Sequence, residues 1–168
     1  MKRKNEIIIV FIVLLLISFL IFSLVHSCSS IGLRINTNIW LEPASKSKTY
    51  FEGTTIGGES YLEIWEYKKD IKKVIKNKGF KMITEKELSN INKYIEEFYN
   101  GAAPENKEIF DKVVSVNQIN KEGNYYYYEP HYVNYKNREG KKKKQLSSFI
   151  LLIADTSTNK LYYFIYAQ

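Results

Sequence analysis

Residues Ile7–Val25 form an apolar run of 19 positions broken only by Ser18 and Ser23. As a helix the run measures about 28 Å, close to the ~30 Å hydrocarbon core of a bilayer. Lys2, Arg3 and Lys4 precede it, and the next cation after Val25 is Arg34. Basic residues are retained on the cytoplasmic side. The expected layout is a cytoplasmic basic tail (1–6), a transmembrane helix (7–25), a tether (26–30) and an extracytoplasmic domain (31–168). The lipid bilayer is then the first partner.

Two other readings of this stretch lead to the same compartment. Val25-His26-Ser27-Cys28 resembles the lipobox of bacterial lipoproteins, which makes Cys28 a candidate for lipidation and Ser29-Ser30 the start of a tether. His26 departs from that pattern, and the run exceeds the ~7–15 apolar residues of a signal peptide. Plain secretion would need a small-x-small cleavage site. A pilin-type leader would need a glutamate inside the run, whereas Glu6 lies before it.

With Cys28 as the sole cysteine, no internal disulfide can form and the domain must be held by packing. About 140 residues after the anchor suffice for one core. The formal charge is +7, yet lysine outnumbers arginine 22 to 3. Proteins that grip nucleic-acid phosphates favour the arginine fork, so no nucleic-acid partner is expected.

Periodicity then orders the domain. Ile31–Trp40 alternates, with Leu33, Ile35 and Ile39 opposite Arg34, Asn36 and Asn38, which predicts a half-buried strand. Glu42–Lys48 reads as loop, Thr49–Phe51 as short strand and Gly57-Gly58 as a tight turn. A phosphate-cradling loop would need a fuller glycine pattern running into a helix. Ser60–Tyr67 alternates again. Ile71, Val74 and Ile75 predict a short amphipathic helix with Gly79 as its C′ residue and Phe80 folded over Ile75. Thr84 and Glu87 have capping-box spacing before a helix carrying Leu88, Ile91, Ile95 and Phe98 and ending near Gly101. Pro104 opens a second helical stretch, and Val114–Gln118 fits helix or strand.

Tyr125–Tyr128 predicts a strand with one tyrosine pair facing the core and the other water, and Pro130 ends it or marks it as an edge. Gly140–Lys144 reads as the tip of a long connection. Ser147–Ala154 and Lys160–Ala167 predict a central hairpin, with Asp155 bonding turn amides and Asn159 accepting a left-handed conformation. The expected class is α+β: a transmembrane helix, then one antiparallel sheet of four to six strands with two or three helices mainly on one face.

From about Tyr50 onward this order resembles a loosely defined set of extracytoplasmic proteins of low-GC Gram-positive bacteria. They share a glycine turn leading into strand and helix, and a C-terminal hairpin similar to Ile153-Ala154-Asp155-Thr156-Ser157-Thr158-Asn159-Lys160-Leu161-Tyr162-Tyr163. Gly57-Gly58-Glu59 departs from their pattern, in which an acidic residue splits the glycines. The resemblance implies compartment and fold, and no activity.

Reactive groups are sparse. Metal ligation needs converging His, Cys or carboxylates, and His26 and His131 are far apart, so no metal or cofactor is expected. Glycosidase chemistry needs two placed carboxylates; Glu59, Glu63, Glu66 and Glu129 can be nominated, as any acidic set could. No catalytic residue is assigned. Aromatics interleaved with cations contact glycans or polyanions, which singles out Tyr125, Tyr127, Lys141, Lys142, Lys143 and Lys144. The competing reading is a Tyr-rich edge strand and a solvated loop. The expectation is a membrane-anchored, extracytoplasmic, non-enzymatic binding module at a bacterial surface, its partner an envelope protein or cell-wall polymer. The alternatives are a cell-envelope hydrolase using Glu129 or His131, and an immunity protein against a secreted toxin.

Overall fold

The computed structural model describes residues 14, 17, 37, 39–55, 58–137 and 140–167. It divides into two compact units, Met1–Pro43 and Ala44–Gln168. In the first, Leu14 and Ile17 are helical and exposed. The rest of Ile7–Val25, and Cys28, lie outside the described residues. Among the described residues no helix is long and apolar enough to cross a membrane.

The strand expected over Ile31–Trp40 is not found where that stretch is described. Thr37 is helical, and residues 39–44 have no regular structure. The apolar alternation lapses at Thr37, whose hydroxyl accepts the Ile39 N–H at 3.1 Å. Such a local side-chain bond takes a donor that a ladder would need.

The second unit is built on strands β1 (Lys46–Thr55), β2 (Gly58–Glu66), β3 (Lys81–Met82), β4 (Tyr125–Lys136), β5 (Lys142–Asp155) and β6 (Lys160–Ala167). They form one sheet in the order β1-β2-β6-β5-β4-β3, antiparallel throughout. Strand β1 begins inside the stretch expected as loop. Ser45 donates its N–H and its hydroxyl to the Glu66 carbonyl (2.9 and 2.7 Å) and so lengthens the ladder. Thr55 pairs with Gly58, closing the hairpin where the glycine turn was expected, although Gly57 itself is outside the described residues.

Helix α1 (Ile71–Ile75) is capped by Asp70, whose carboxylate accepts the Lys72 N–H at 3.0 Å. It ends two residues sooner than expected. Asn77, with φ 60°, takes the left-handed C′ position assigned to Gly79, and Gly79 makes a second left-handed step. Phe80 thereby packs on Tyr127 (ring centroids 6.0 Å apart) instead of folding over Ile75. Helix α2 (Glu85–Gly101) has the expected capping box, Glu87 accepting from the Thr84 N–H at 3.2 Å and from its hydroxyl. Helices α3 (Pro104–Val113) and α4 (Val116–Ile119) follow, the latter resolving the open choice at Val114–Gln118 in favour of helix.

Helices α2, α3 and α4 bury Ile91, Ile95, Phe98, Phe110 and Ile119 against Leu62, Phe149, Leu151 and Phe164 of the sheet. Phe98 sits edge-on to Phe164 at 5.1 Å. Alternate residues Leu152, Ala154, Leu161 and Tyr163 face the other way and are also buried. Helix α1 packs against β5 with its own buried trio, Ile71, Val74 and Ile75, outside the α2–α4 cluster. The α+β expectation therefore holds, with three described helices on one face and α1 on the other.

A polar knot ties these layers at the β5–β6 turn. Asp155 is fully buried and accepts from Ser157 N–H (2.9 Å), Ser157 hydroxyl (2.7 Å), Thr158 hydroxyl (2.7 Å) and the Gln118 amide of α4 (3.2 Å). Asn124 donates to the Gln118 and Ile119 carbonyls and accepts the Thr156 N–H at 3.0 Å. Asn159, at φ 55°, accepts the Ile71 N–H of α1 at 3.1 Å. Burial opposes charge on Asp155, and the bonds from Ser157 and Thr158 outweigh it, holding the carboxyl below its ordinary range. Its contribution is thus present above about pH 4 and is lost as pH falls further. Asp155→Ala strands several buried donors and is expected to cost about 2–4 kcal/mol, measured by urea unfolding of the full-length chain. The variant should also lose part of the acid sensitivity of the parent.

Candidate functional site

Strand β3 covers β4 only at Tyr125 and Tyr126, so among the described residues no strand pairs with the outer edge of β4 from Tyr127 onward. Pro130 lies on this edge, where its missing N–H costs no ladder bond. His131 pairs with Ser148 but Tyr132 pairs with Leu146, leaving Ser147 as an extra residue in β5 whose hydroxyl donates to the His131 carbonyl at 3.1 Å. A bulge of this kind bends a strand and increases its twist. Strand β6 stops opposite Ser148. Beyond the bulge, Tyr132–Lys136 and Lys142–Leu146 therefore continue as a two-stranded arm.

Asn137 closes the arm: its N–H donates to the Lys141 carbonyl at 3.0 Å and its side-chain oxygen accepts the Lys141 N–H at 2.9 Å. Gly140 supplies the left-handed step, φ 76°. The tip expected at Gly140–Lys144 is thus mostly strand, because Lys142–Lys144 pair with Lys136, Tyr135 and Asn134. The arm exposes Tyr132 (56%), Val133 (49%) and Tyr135 (42%), and residues 131–145 hold six Lys or Arg against Glu139. Lys136 and Lys142 are direct cross-strand partners. Like charges so placed destabilise a hairpin that is marginal on its own.

Near the root of the arm two clefts lie between α2 and the β4 side of the sheet, together termed the α2–β4 groove. Asn90, Tyr94, Glu97 and Gly101 fall at i, i+4, i+7 and i+11 of α2, one stripe about 17 Å long. Tyr94 stacks on Tyr128 with centroids 3.8 Å apart and planes 7° apart. At the end of the stripe, Gly101 leaves room for the Tyr166 ring, into which any Cβ would run. Two clefts flank the stack. One, about 390 Å³, is lined by Lys81, Asn90, Tyr94, Tyr126 and Tyr128; the other, about 450 Å³, by Glu97, Asn100, Gln145, Leu146 and Tyr166. Both volumes fall within the ~300–1,000 Å³ of ligand sites.

Burial holds the phenols of this groove above their ordinary range. Tyr94 is raised by burial and then by Tyr126, Tyr132 and Glu97; Tyr126 by burial and then Glu87; Tyr128 by burial and then Tyr94, Tyr132 and Glu97. These hydroxyls therefore stay neutral and able to donate. On the opposite face Tyr127 is pushed up to about 12 by burial and by its bond to Glu129 (2.6 Å).

The residues singled out from sequence do not form one patch. Tyr125 and Tyr127 belong to the other face of β4, where Tyr127 packs on Gly79 and Phe80, and Tyr127 and Gly79 also border the 390 Å³ cleft. Seven positions of β4, about 24 Å, separate Tyr127 from the Lys144 pairing site. Lys143 shares the face of Tyr127, whereas Lys142 and Lys144 share that of Tyr126, Tyr128 and Tyr132. Lys141 sits in the closing turn. The juxtaposed set is thus the other tyrosine parity with Lys142 and Lys144, a parity that core-facing alternation concealed. The polar stripe of α2 has the same helical spacing as the apolar one and carries the cleft-lining Asn90, Tyr94 and Glu97.

The nominated catalytic groups are likewise dispersed. Glu129 is engaged by Tyr127, and His131 is exposed at the bulge. Glu63 is buried and accepts the Tyr61 hydroxyl at 2.7 Å, while Glu66 pairs with Lys160 (3.3 Å) on the opposite face of β2. In comparisons with known proteins the chain matches no family model, no curated protein and no solved structure.

Raised phenol ranges make a sign prediction. Below about pH 10 the tyrosines are neutral in both folded and unfolded chains; above it only the unfolded ones ionise freely, so stability falls as pH rises. Absorbance titration at 295 nm should show a group of tyrosines ionising only together with unfolding. Full titration of every tyrosine near pH 10 in the folded chain would contradict the packing.

Proposed function

We propose that this chain is a membrane-anchored binding module of the bacterial cell exterior whose basic hairpin arm engages an anionic polymer of the envelope. The observation that carries the reading is the arm itself. Two strands outrun every described neighbour and carry opposed lysines at a cost in stability. None of Lys142, Lys143 and Lys144 forms an ion pair with a described residue. A polyanion relieves that repulsion on binding, and exposed Tyr132 and Tyr135 add aromatic surface beside the charge.

The compartment rests on the sequence: the apolar run Ile7–Val25 behind Lys2, Arg3 and Lys4. Ser147 and Ser148 lie beside His131, but the Ser147 hydroxyl donates to the His131 main-chain carbonyl, and Glu129 is engaged by Tyr127. Among the described residues no serine hydroxyl is hydrogen-bonded to the His131 ring, and a binding role fits this geometry better than hydrolysis.

The test uses the full-length chain in nanodiscs of zwitterionic lipid, with inorganic polyphosphate as probe. Lys142→Glu with Lys144→Glu should weaken binding at least tenfold and flatten its dependence on salt, because fewer counterions are released. Unchanged affinity and salt slope in that variant would refute the assignment to the arm.

A further inference from the structure

The groove between α2 and β4 has a chemistry that the arm alone does not explain. Glu97 turns one carboxylate oxygen into a buried position where it finds no hydrogen-bond partner among the described residues. Glu97 also lines the cleft that ends at Gln145 and Leu146, the first residues of the arm. A carboxylate here repels phosphate. It requires a donor, and a buried acceptor without one is costly.

The remaining lining narrows the kind of donor. Asn90 and Asn100 are exposed amides of α2, and Gln145 is an exposed amide of β5; each both donates and accepts. Tyr94, Tyr126 and Tyr128 contribute ring surface and neutral hydroxyls. Amides, one carboxylate and aromatic walls along ~17 Å suit a chain that presents hydroxyl groups and C–H faces in alternation. At the arm end, Lys144 lies two residues from Leu146 on the same face, with Lys142 beyond it, and these suit acidic substituents.

We infer that the α2–β4 groove is a carbohydrate site, with Glu97, Asn90 and Gln145 accepting and donating to sugar hydroxyls beside the Tyr94–Tyr128 stack. The polymer engaged by the arm is accordingly an acidic glycan. This rests on the binding-module reading and adds to it the substrate class and a second set of contacts. Polyphosphate would meet only the arm, since it brings no alcohol hydroxyl to Glu97.

The experiment measures affinities of the full-length chain in zwitterionic nanodiscs for oligogalacturonate and for polyphosphate of matched charge. Removing an anion by Glu97→Ala should strengthen polyphosphate binding or leave it unchanged, but weaken oligogalacturonate binding at least fivefold. Asn90→Ala, at the far end of the groove on an exposed position, should weaken only the glycan. If Glu97→Ala strengthens or leaves unaltered the binding of both probes, the groove is not a carbohydrate site, and the arm reading stands untouched. If the doubly substituted arm binds polyphosphate as the parent does, it is the arm reading that fails.

Discussion

A buried aspartate in a turn holds the architecture together. Asp155 terminates β5 with its carboxylate saturated by donors from the turn and from α4, and Asn124 and Asn159 extend the same network to the start of β4 and to α1. A buried charge is tolerated only when its hydrogen bonds are complete, so this knot admits one arrangement of the five-residue turn. The turn sets the β5–β6 register, and that register aligns the apolar residues of the two most buried strands. It also fixes where the layers meet: α4 and its exit on one side, the entry to α1 on the other.

From that fixed end, unequal strand lengths generate the functional geometry. Strand β5 has 14 residues and β6 has 8, so with their shared end pinned at Asp155↔Lys160 the excess must emerge at the opposite end. Strand β4 follows β5 outward, and the bulge at Ser147, of a kind that bends and twists a strand, lies where both run on past β6. Meanwhile the two-residue β3 leaves most of β4 as an edge, over which α2 lies through the Tyr94–Tyr128 stack. Arm and groove are consequences of one length mismatch.

Much of the fold was legible because local chemistry and tertiary packing agree. The capping box at Thr84, the apolar stripe of α2, Pro104 at the start of α3, and Asp155 with Asn159 at the last turn all take the roles their residue types prescribe. The failures occur where one residue decides between patterns. Thr37 bonds its own neighbourhood in place of a ladder, and Asn77 usurps the cap that Gly79 would supply. For the site, charge made the lysines conspicuous, but which tyrosines accompany them depends on strand parity and on a bulge that composition does not announce. Glu97 had no sequence signal beyond its place on a helix stripe, since only packing shows its buried oxygen.

The central claim is that ligand lies along the α2–β4 groove and the arm. Amide hydrogen exchange of the full-length chain in nanodiscs, with and without an acidic oligosaccharide, tests it most directly. The account predicts slowed exchange in residues 127–136 and 142–147 and in α2 from Asn90 to Gly101, with the 155–159 turn unaffected. Protection confined to the β1–β2 hairpin or to α1, with the arm exchanging as freely as before, would contradict it.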